Sequence, residues 1–219
     1  GLVHNGNITN ARMLREELVE EGALFQGTID SEVLVHLIAR SRSPTVEEQI
    51  SEAISRLQGA FSVLLTVGNT LYAARDPWGF RPLVLGRFPD GGWIVASESC
   101  ALDLVGATLE RDIEPGEMLR IRNGELTSLK NVARAHDPAP CIFELVYFAR
   151  PDSTIFGKTV DRARRAFGRQ LAREHPANAD AVLSVPDSSN SAALGFAEES
   201  GIPYELGLIR NHYVGRTFI

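Results

Sequence analysis

Residues 141–153, CIFELVYFARPDS, decide how this 219-residue chain is divided. The run before Ala149 is apolar, with aromatic and β-branched members, a composition typical of a buried strand. It breaks off near Pro151, which withholds a backbone donor and fixes φ. Short strands and turns precede this stretch, whereas long helices alternating with single strands follow it. We therefore predict a joint between two domains, residues 1–140 and residues 141–219.

The composition is that of a soluble globular protein, with 44% hydrophobic and 23% charged residues. A net charge of −6 argues against a nucleic-acid partner, and no apolar run reaches the roughly 20 residues that span a bilayer. The two cysteines, Cys100 and Cys141, imply no disulfide framework, so we expect a cytoplasmic location. Because the chain opens at Gly1 and stops at Ile219 in mid-pattern, we expect an internal fragment.

The first half predicts helices followed by antiparallel strands. Apolar residues recur at helical spacing from about residue 11 to 21, in a second helix opening near residue 30, and from Ser43 to Leu57. The period then changes to two, and hairpins are predicted at Gly68-Asn69 and Asn123-Gly124. Helices grouped before such hairpins indicate a layered α+β domain.

The motif His4-Asn5-Gly6-Asn7 follows a short strand. Asn-Gly is a strong hairpin signal because both residues tolerate positive φ, so a plain turn is one interpretation. In the other, the Asn5 amide and the Gly6 N–H form a two-donor oxyanion hole. Asp30 likewise has two interpretations, of which the residue pattern supplies one, an N-cap of the following helix.

Two motifs of the second half suit an anion. The apolar strand 181–185 runs into a serine-rich turn that holds Ser188 and then into a helix, whose N-terminal N–H groups attract anions. A well-capped helix without a ligand is the alternative.

The arginines of the helix near 160–174 are expected to form a solvated face. A mobile basic loop that closes over a polyphosphate is predicted to contain Arg210, Tyr213, Gly215 and Arg216.

CIFELVYFARPDS and the C-terminal YVGRTFI together resemble two signatures of the glutamine-dependent amidophosphoribosyltransferases. The resemblance implies an N-terminal-nucleophile (class II glutamine amidotransferase) αββα sandwich, followed by an α/β type I phosphoribosyltransferase domain, both incomplete. It implies that ammonia from glutamine displaces pyrophosphate from phosphoribosyl pyrophosphate to give 5-phosphoribosylamine, the first committed step of purine synthesis. A homo-oligomer is expected. The catalytic cysteine and the arginine that holds the glutamine carboxylate are expected upstream.

The resemblance also implies roles for individual residues. Asn5 and Gly6 would form the oxyanion hole, and Asp30 would bind the α-amino group of glutamine. Ser188 would be a ligand of the Mg²⁺ that accompanies phosphoribosyl pyrophosphate. In one branch of the family a cysteine at the place of Cys141 ligates a [4Fe–4S] cluster. Because such a cluster needs four thiolates, we expect none in the chain itself, and a small buried apolar residue is the alternative.

Arg75, Asp76 and Arg81 lie in a turn-rich loop, RDPWGFRPL. They could form an ion-pair cluster at the surface, or, as the resemblance implies, support the glutamine site from beside it. Two other function classes stay open at this point: another class II amidotransferase, such as a glucosamine-phosphate or asparagine synthetase, and a non-catalytic regulatory relative. The YVGRTFI ending argues against the first of these.

Overall fold

The structure is a computed structural model that describes residues 1–129 and 137–215. The chain divides into two compact units, Gly1–Cys141 and Ile142–Ile219, a division one residue beyond the predicted joint. Cys141 stays with the first unit because its N–H donates to the Phe80 carbonyl at 3.0 Å. Within the described residues no helix is long and apolar enough to cross a membrane.

The first unit is built from two antiparallel sheets and four helices, as far as the described residues show. Its strands are β1 (Leu2–Ile8), β2 (Gly59–Val67), β3 (Thr70–Arg75), β4 (Val84–Arg87), β5 (Trp93–Ala96), β6 (Thr108–Asp112), β7 (Met118–Arg122) and β8 (Glu125–Leu129). Its helices are α1 (Ala11–Glu20), α2 (Glu32–Arg40), α3 (Val46–Ser55) and α4 (Ser99–Leu104). One sheet has the order β1-β2-β3-β7-β8, and the other has the order β5-β4-β6.

Three apolar clusters show that these elements are stacked in layers. The largest joins α1, α2 and α3 to one face of the larger sheet, with Phe61 and Met118 among its buried members. A second lies between the sheets, where Leu119 packs with Leu85. A third joins the smaller sheet to α4 through Leu102. The order helix, sheet, sheet, helix is the αββα sandwich, so the predicted fold class is confirmed.

Local chemistry explains where the first helices begin and end. As predicted, α1 stops at Gly22, which takes φ +85° while the N–H of Ala23 bonds back to the Leu18 carbonyl. The start predicted for α3 at Ser43 is wrong by a few residues. Thr45 is the N-cap, and it exchanges hydrogen bonds with Glu48 in a capping box.

The second unit contains a π-helical turn (Glu144–Phe148), a short hairpin of β9 (Thr154–Ile155) and β10 (Lys158–Thr159), and the helices α5 (Val160–Glu174) and α6 (Asn190–Ser200). The two helices touch backbone to backbone. A Cβ on Gly168 would lie 1.8 Å from the Ala192 carbonyl oxygen, and one on Gly195 would lie 2.1 Å from the Arg165 carbonyl oxygen. Only glycine permits this approach.

The arginines of α5 are not a simple solvated face. Arg165 and Arg169 both pair with Glu198 of α6, and Arg173 pairs with Glu199. These ion pairs flank the glycine contact and hold the helices in register.

The strand predicted at residues 141–148 is wrong, because this stretch forms the π-helical turn. Leu145 and Ala149 are buried, whereas Tyr147 halfway between them is 58% exposed, so burial does not alternate as it would along a strand. Arg164, only 2% exposed, supplies the turn with hydrogen-bond donors. Its guanidinium donates to the Leu145 carbonyl at 2.7 Å and to the Ala149 carbonyl at 2.8 Å.

The buried parallel strand predicted at residues 181–185 is also not formed. These residues make one parallel bridge, from Val182 to Tyr204, and Leu183 and Val185 are more than half exposed. A buried parallel strand needs neighbours on both edges and cover on both faces. Within the described part of the chain this segment is bridged on one edge only.

Candidate functional site

Asn5 and Gly6 lie inside the edge strand β1, so the hairpin-turn interpretation of Asn-Gly is wrong. Gly6 pairs with Phe61 of β2 and has φ +152°. A Cβ on Gly6 would lie 2.0 Å from the Ala60 carbonyl oxygen. Glycine is therefore required here by the close approach of two strands and not by a turn.

The edge of β1 that faces away from β2 has no strand partner among the described residues, and it carries backbone donors. The Ile8 N–H donates to the Asp30 carboxylate at 2.9 Å, away from β2. Because N–H groups alternate between the two edges of a strand, the Gly6 N–H faces the same open edge. The Asn5 side chain is exposed, and its Nδ2 donates to Ser97 Oγ, the residue after β5, at 3.4 Å.

Asp30 is not an N-cap, so that interpretation is wrong. The N-cap position of α2 belongs to Ser31, and Asp30 instead turns towards β1. One carboxylate oxygen accepts from the Ser31 N–H at 2.7 Å and the other accepts from Ile8. A carboxylate has about four acceptor positions, so these two bonds leave acceptor capacity for a cationic ligand. Asp30 is thus brought to the strand that carries Asn5 and Gly6.

The His4 side chain lies next to Gly6, where a larger residue would place its Cβ. This side chain is 6% exposed, and its Nδ1 lies 3.5 Å from Asp30. Its Nε2 is buried without a hydrogen-bond partner among the described residues, and it lies 2.9 Å from where a Gly6 Cβ would be. The imidazole therefore packs between the glycine and the carboxylate.

The loop after β3 is organised by buried charges, so the surface ion-pair interpretation is wrong for Arg75 and Asp76. Asp76 is fully buried and accepts from the N–H groups of Phe61, Trp78 and Phe80. Burial raises the pKa of Asp76, and these hydrogen bonds oppose the rise. The loop is thereby fixed to Phe61, the partner of Gly6. The Arg75 guanidinium donates to three loop carbonyls, those of Gly79, Arg81 and Ile113.

In the second unit, polar side chains meet at a cavity of about 790 Å³. Ser188 lies in the turn directly before α6, is half-buried and lines this cavity. Sequence reasoning missed two further arginines in the lining, Arg150 and Arg164. The buried position of Arg164 could not be distinguished from those of the other arginines on α5. The turn before α6 thus lies beside arginine side chains at this cavity.

The predicted basic loop contributes to the same cavity. Arg210 and Gly215 line it, and the Arg210 guanidinium lies 3.3 Å from Asp187. Tyr213 is almost fully exposed. Arg216 lies outside the described residues, and the mobility of the loop stays a prediction.

Cys141 is half-buried and Cys100 is buried, and neither forms a disulfide within the described residues. In the described part of the chain no three His, Cys, Asp or Glu side chains come together as a metal site. The Mg²⁺ ligand predicted at Ser188 is a hydroxyl group, and serine is not one of these four residue types. Neither the magnesium nor the iron–sulfur prediction is tested by these observations.

Comparison with protein families matches residues 1–104 to a glutamine amidotransferase domain. Over all 219 residues the chain is 48% identical to an amidophosphoribosyltransferase of Staphylococcus aureus and 47% identical to amidophosphoribosyltransferase 1, chloroplastic, of Arabidopsis thaliana. It covers 44% and 38% of those relatives, so it spans less than half their length.

A solved structure gives the same result in three dimensions. Glutamine phosphoribosylpyrophosphate amidotransferase from B. subtilis, complexed with ADP and GMP, matches the whole chain with a TM-score of 0.92 at 48% identity. The match covers 48% of that protein.

Proposed function

We propose that the whole protein acts as a glutamine-dependent amidophosphoribosyltransferase, since this chain belongs to the amidophosphoribosyltransferase family. Glutamine, water and phosphoribosyl pyrophosphate would give glutamate, 5-phosphoribosylamine and pyrophosphate, the first committed step of purine synthesis. One observation carries the proposal: an amidotransferase sandwich with Asn5 and Gly6 on its edge strand is followed, in the same chain, by a serine turn before a helix at an arginine-lined cavity.

The glutamine half needs two tasks from the described residues, stabilising an oxyanion and binding an ammonium group. As a thiolate attacks the side-chain amide carbon, the amide oxygen becomes an oxyanion, to which Asn5 Nδ2 and the Gly6 N–H would donate. Asp30 would accept the α-ammonium group of glutamine with the lone pairs that Ser31 and Ile8 leave unused. The proposal is supported by the positions of Asn5 and Gly6 on β1 and of Asp30 against the same strand.

The phosphoribosyl half needs positive charge and oxygen ligands around a polyphosphate. Ser188 would hold Mg²⁺, a cation that prefers oxygen ligands and that, when bound, neutralises the departing pyrophosphate. Arg210, Tyr213, Gly215 and Arg216 would cover the ligand. Because Arg210 pairs with Asp187, a bound phosphate would exchange one anionic partner of Arg210 for another.

Residues 210–215 should become protected from proteolysis when phosphoribosyl pyrophosphate and Mg²⁺ are added to the whole protein, because a bound polyphosphate attracts the basic loop. Inorganic phosphate with Mg²⁺ is the control for general anion effects. Equal cleavage in all three conditions would contradict the role of a closing loop.

The iron–sulfur proposal rests on the position of Cys141 alone. The two cysteines of this chain do not fit a cluster that needs four thiolates, so no step is assigned to it. If the whole protein holds a cluster, anaerobic preparations contain iron and sulfide, and Cys141→Ser removes both while Cys100→Ser does not. Colourless, active wild-type protein would make Cys141 a packing residue.

We also propose a cytoplasmic location and a homo-oligomer for the whole protein.

Asn5→Ala tests the proposed function in the whole protein. Loss of one oxyanion donor should lower glutamine-dependent formation of pyrophosphate by about 10²–10³. Ammonia-dependent formation should be unchanged, because it bypasses glutamine. Asn69→Ala, in the turn between β2 and β3, is the matched control and should behave as wild type. If wild-type protein formed no pyrophosphate with either nitrogen source, the proposed function would be wrong.

A further inference from the structure

We propose that Ser97 is a positioning residue that fixes the side-chain amide of Asn5 in the plane that an oxyanion requires. The inference rests on the proposed function, because the orientation of this amide matters only if Asn5 stabilises an oxyanion. Ser97 itself touches no reacting atom in this proposal.

The Asn5 amide needs such a partner. Asn5 is exposed on strand β1, and an exposed asparagine side chain samples several rotamers unless a partner holds it. A donor that is already oriented costs no reorganisation when charge develops on the substrate. Among the described residues, Ser97 is the only hydrogen-bond partner of the Asn5 side chain.

The geometry leaves one donor available. Nδ2 of an asparagine carries two N–H groups, and one of them is directed to Ser97 Oγ. The second N–H of the same nitrogen then remains for the oxyanion. The distance of 3.4 Å is long for this kind of bond, and contacts of this type commonly tighten when a substrate binds.

Ser97 is a suitable fixed point because rigid structure flanks it on both sides. The preceding strand β5 is paired with β4 in the smaller sheet. The helix α4 begins two residues later with Ser99 and Cys100, both buried. Asn5 lies on the larger sheet, so the contact joins the two sheets of the sandwich at the candidate site.

The test compares Ser97→Ala and Ser97→Thr in the whole protein, with Ser55→Ala as a control. Within the described part of the chain, the Ser55 hydroxyl bonds to a carbonyl of its own helix and to no other group. Ser97→Ala should lower kcat for glutamine hydrolysis about tenfold, the size of effect expected from one orienting hydrogen bond. KM for glutamine and the ammonia-dependent rate should not change. Ser97→Thr keeps the hydroxyl and should restore kcat.

A double-mutant cycle separates positioning from general damage. If Ser97 acts through Asn5, Ser97→Ala adds no further loss to Asn5→Ala. A second tenfold loss in the double variant, or an unchanged kcat in Ser97→Ala, would overturn the inference. If the wild type is active and Ser97→Ala has the same kcat, the role of Ser97 is wrong but the proposed function is not. If the wild type has no glutaminase activity, both the proposed function and the role of Ser97 are wrong.

Discussion

Replacement of Gly6 by alanine tests the closest backbone contact at the candidate glutamine site. The new Cβ would lie 2.0 Å from the Ala60 carbonyl oxygen, whereas ordinary contact begins at 3.4 Å. Strand β1 would have to retreat by more than 1 Å from β2, which disturbs the ladder on both sides of the site. We expect a loss of about 2–4 kcal/mol in the free energy of unfolding, from overpacking and from the φ of +152°.

Urea unfolding of the chain measures this loss, with Gly68→Ala as the matched control. Gly68 also has positive φ, +55°, but a Cβ there meets nothing within 4 Å. The control therefore carries the backbone strain alone, about 1 kcal/mol. In the whole protein Gly6→Ala should also lower glutaminase activity by about 10²-fold, because a displacement of 1 Å is costly at a reacting centre. Equal urea midpoints for the two variants would refute the close approach of the strands.

Three further substitutions test other contacts. Burial raises the pKa of Glu117, but hydrogen bonds led by those from Arg111 outweigh this and hold the pKa below 4.5. The ionised Glu117 carboxylate therefore stabilises the fold above pH 4.5, and this stabilisation is lost as the pH falls through the folded pKa. In Glu117→Gln the urea midpoint should fall less steeply below about pH 4.5 than in the wild type. The same pH dependence in both proteins would contradict this. Gly195→Ala should cost about 2–4 kcal/mol, since its Cβ would lie 2.1 Å from the Arg165 carbonyl oxygen. Arg164→Met should cost about 2–5 kcal/mol in urea unfolding, because two buried carbonyls lose their donor.

Hydrophobic periodicity was sufficient to predict the helices and hairpins of the first unit. These elements bury one face each, so helical and alternating patterns remain distinct along α1 and β2. The strand prediction for residues 141–148 failed because an apolar aromatic stretch of this length fits both a strand and a helix. The deciding factor was Arg164, a residue far along the chain whose donors satisfy the carbonyls of the turn.

The candidate site shows the same division between local and distant information. Asn5, Gly6 and Asp30 were named from motifs, but a motif could not reveal that Gly6 is required by the Ala60 carbonyl. Nor could it show that Asp30 bonds to β1 instead of capping α2. Ser97 carried no signal at all, because a serine before a short helix is common, and only the tertiary fold brings it to Asn5.

The glycine contact between α5 and α6 has a mechanical consequence. Helices separated by side chains can slide as those side chains change rotamer, but Gly168 and Gly195 leave no such layer between the two backbones. Ser191 near the start of α6 also bonds to Asp161 of α5 at 2.7 Å. We therefore expect the two helices to move as one body, so that a displacement of the turn at Ser188, directly before α6, also displaces α5.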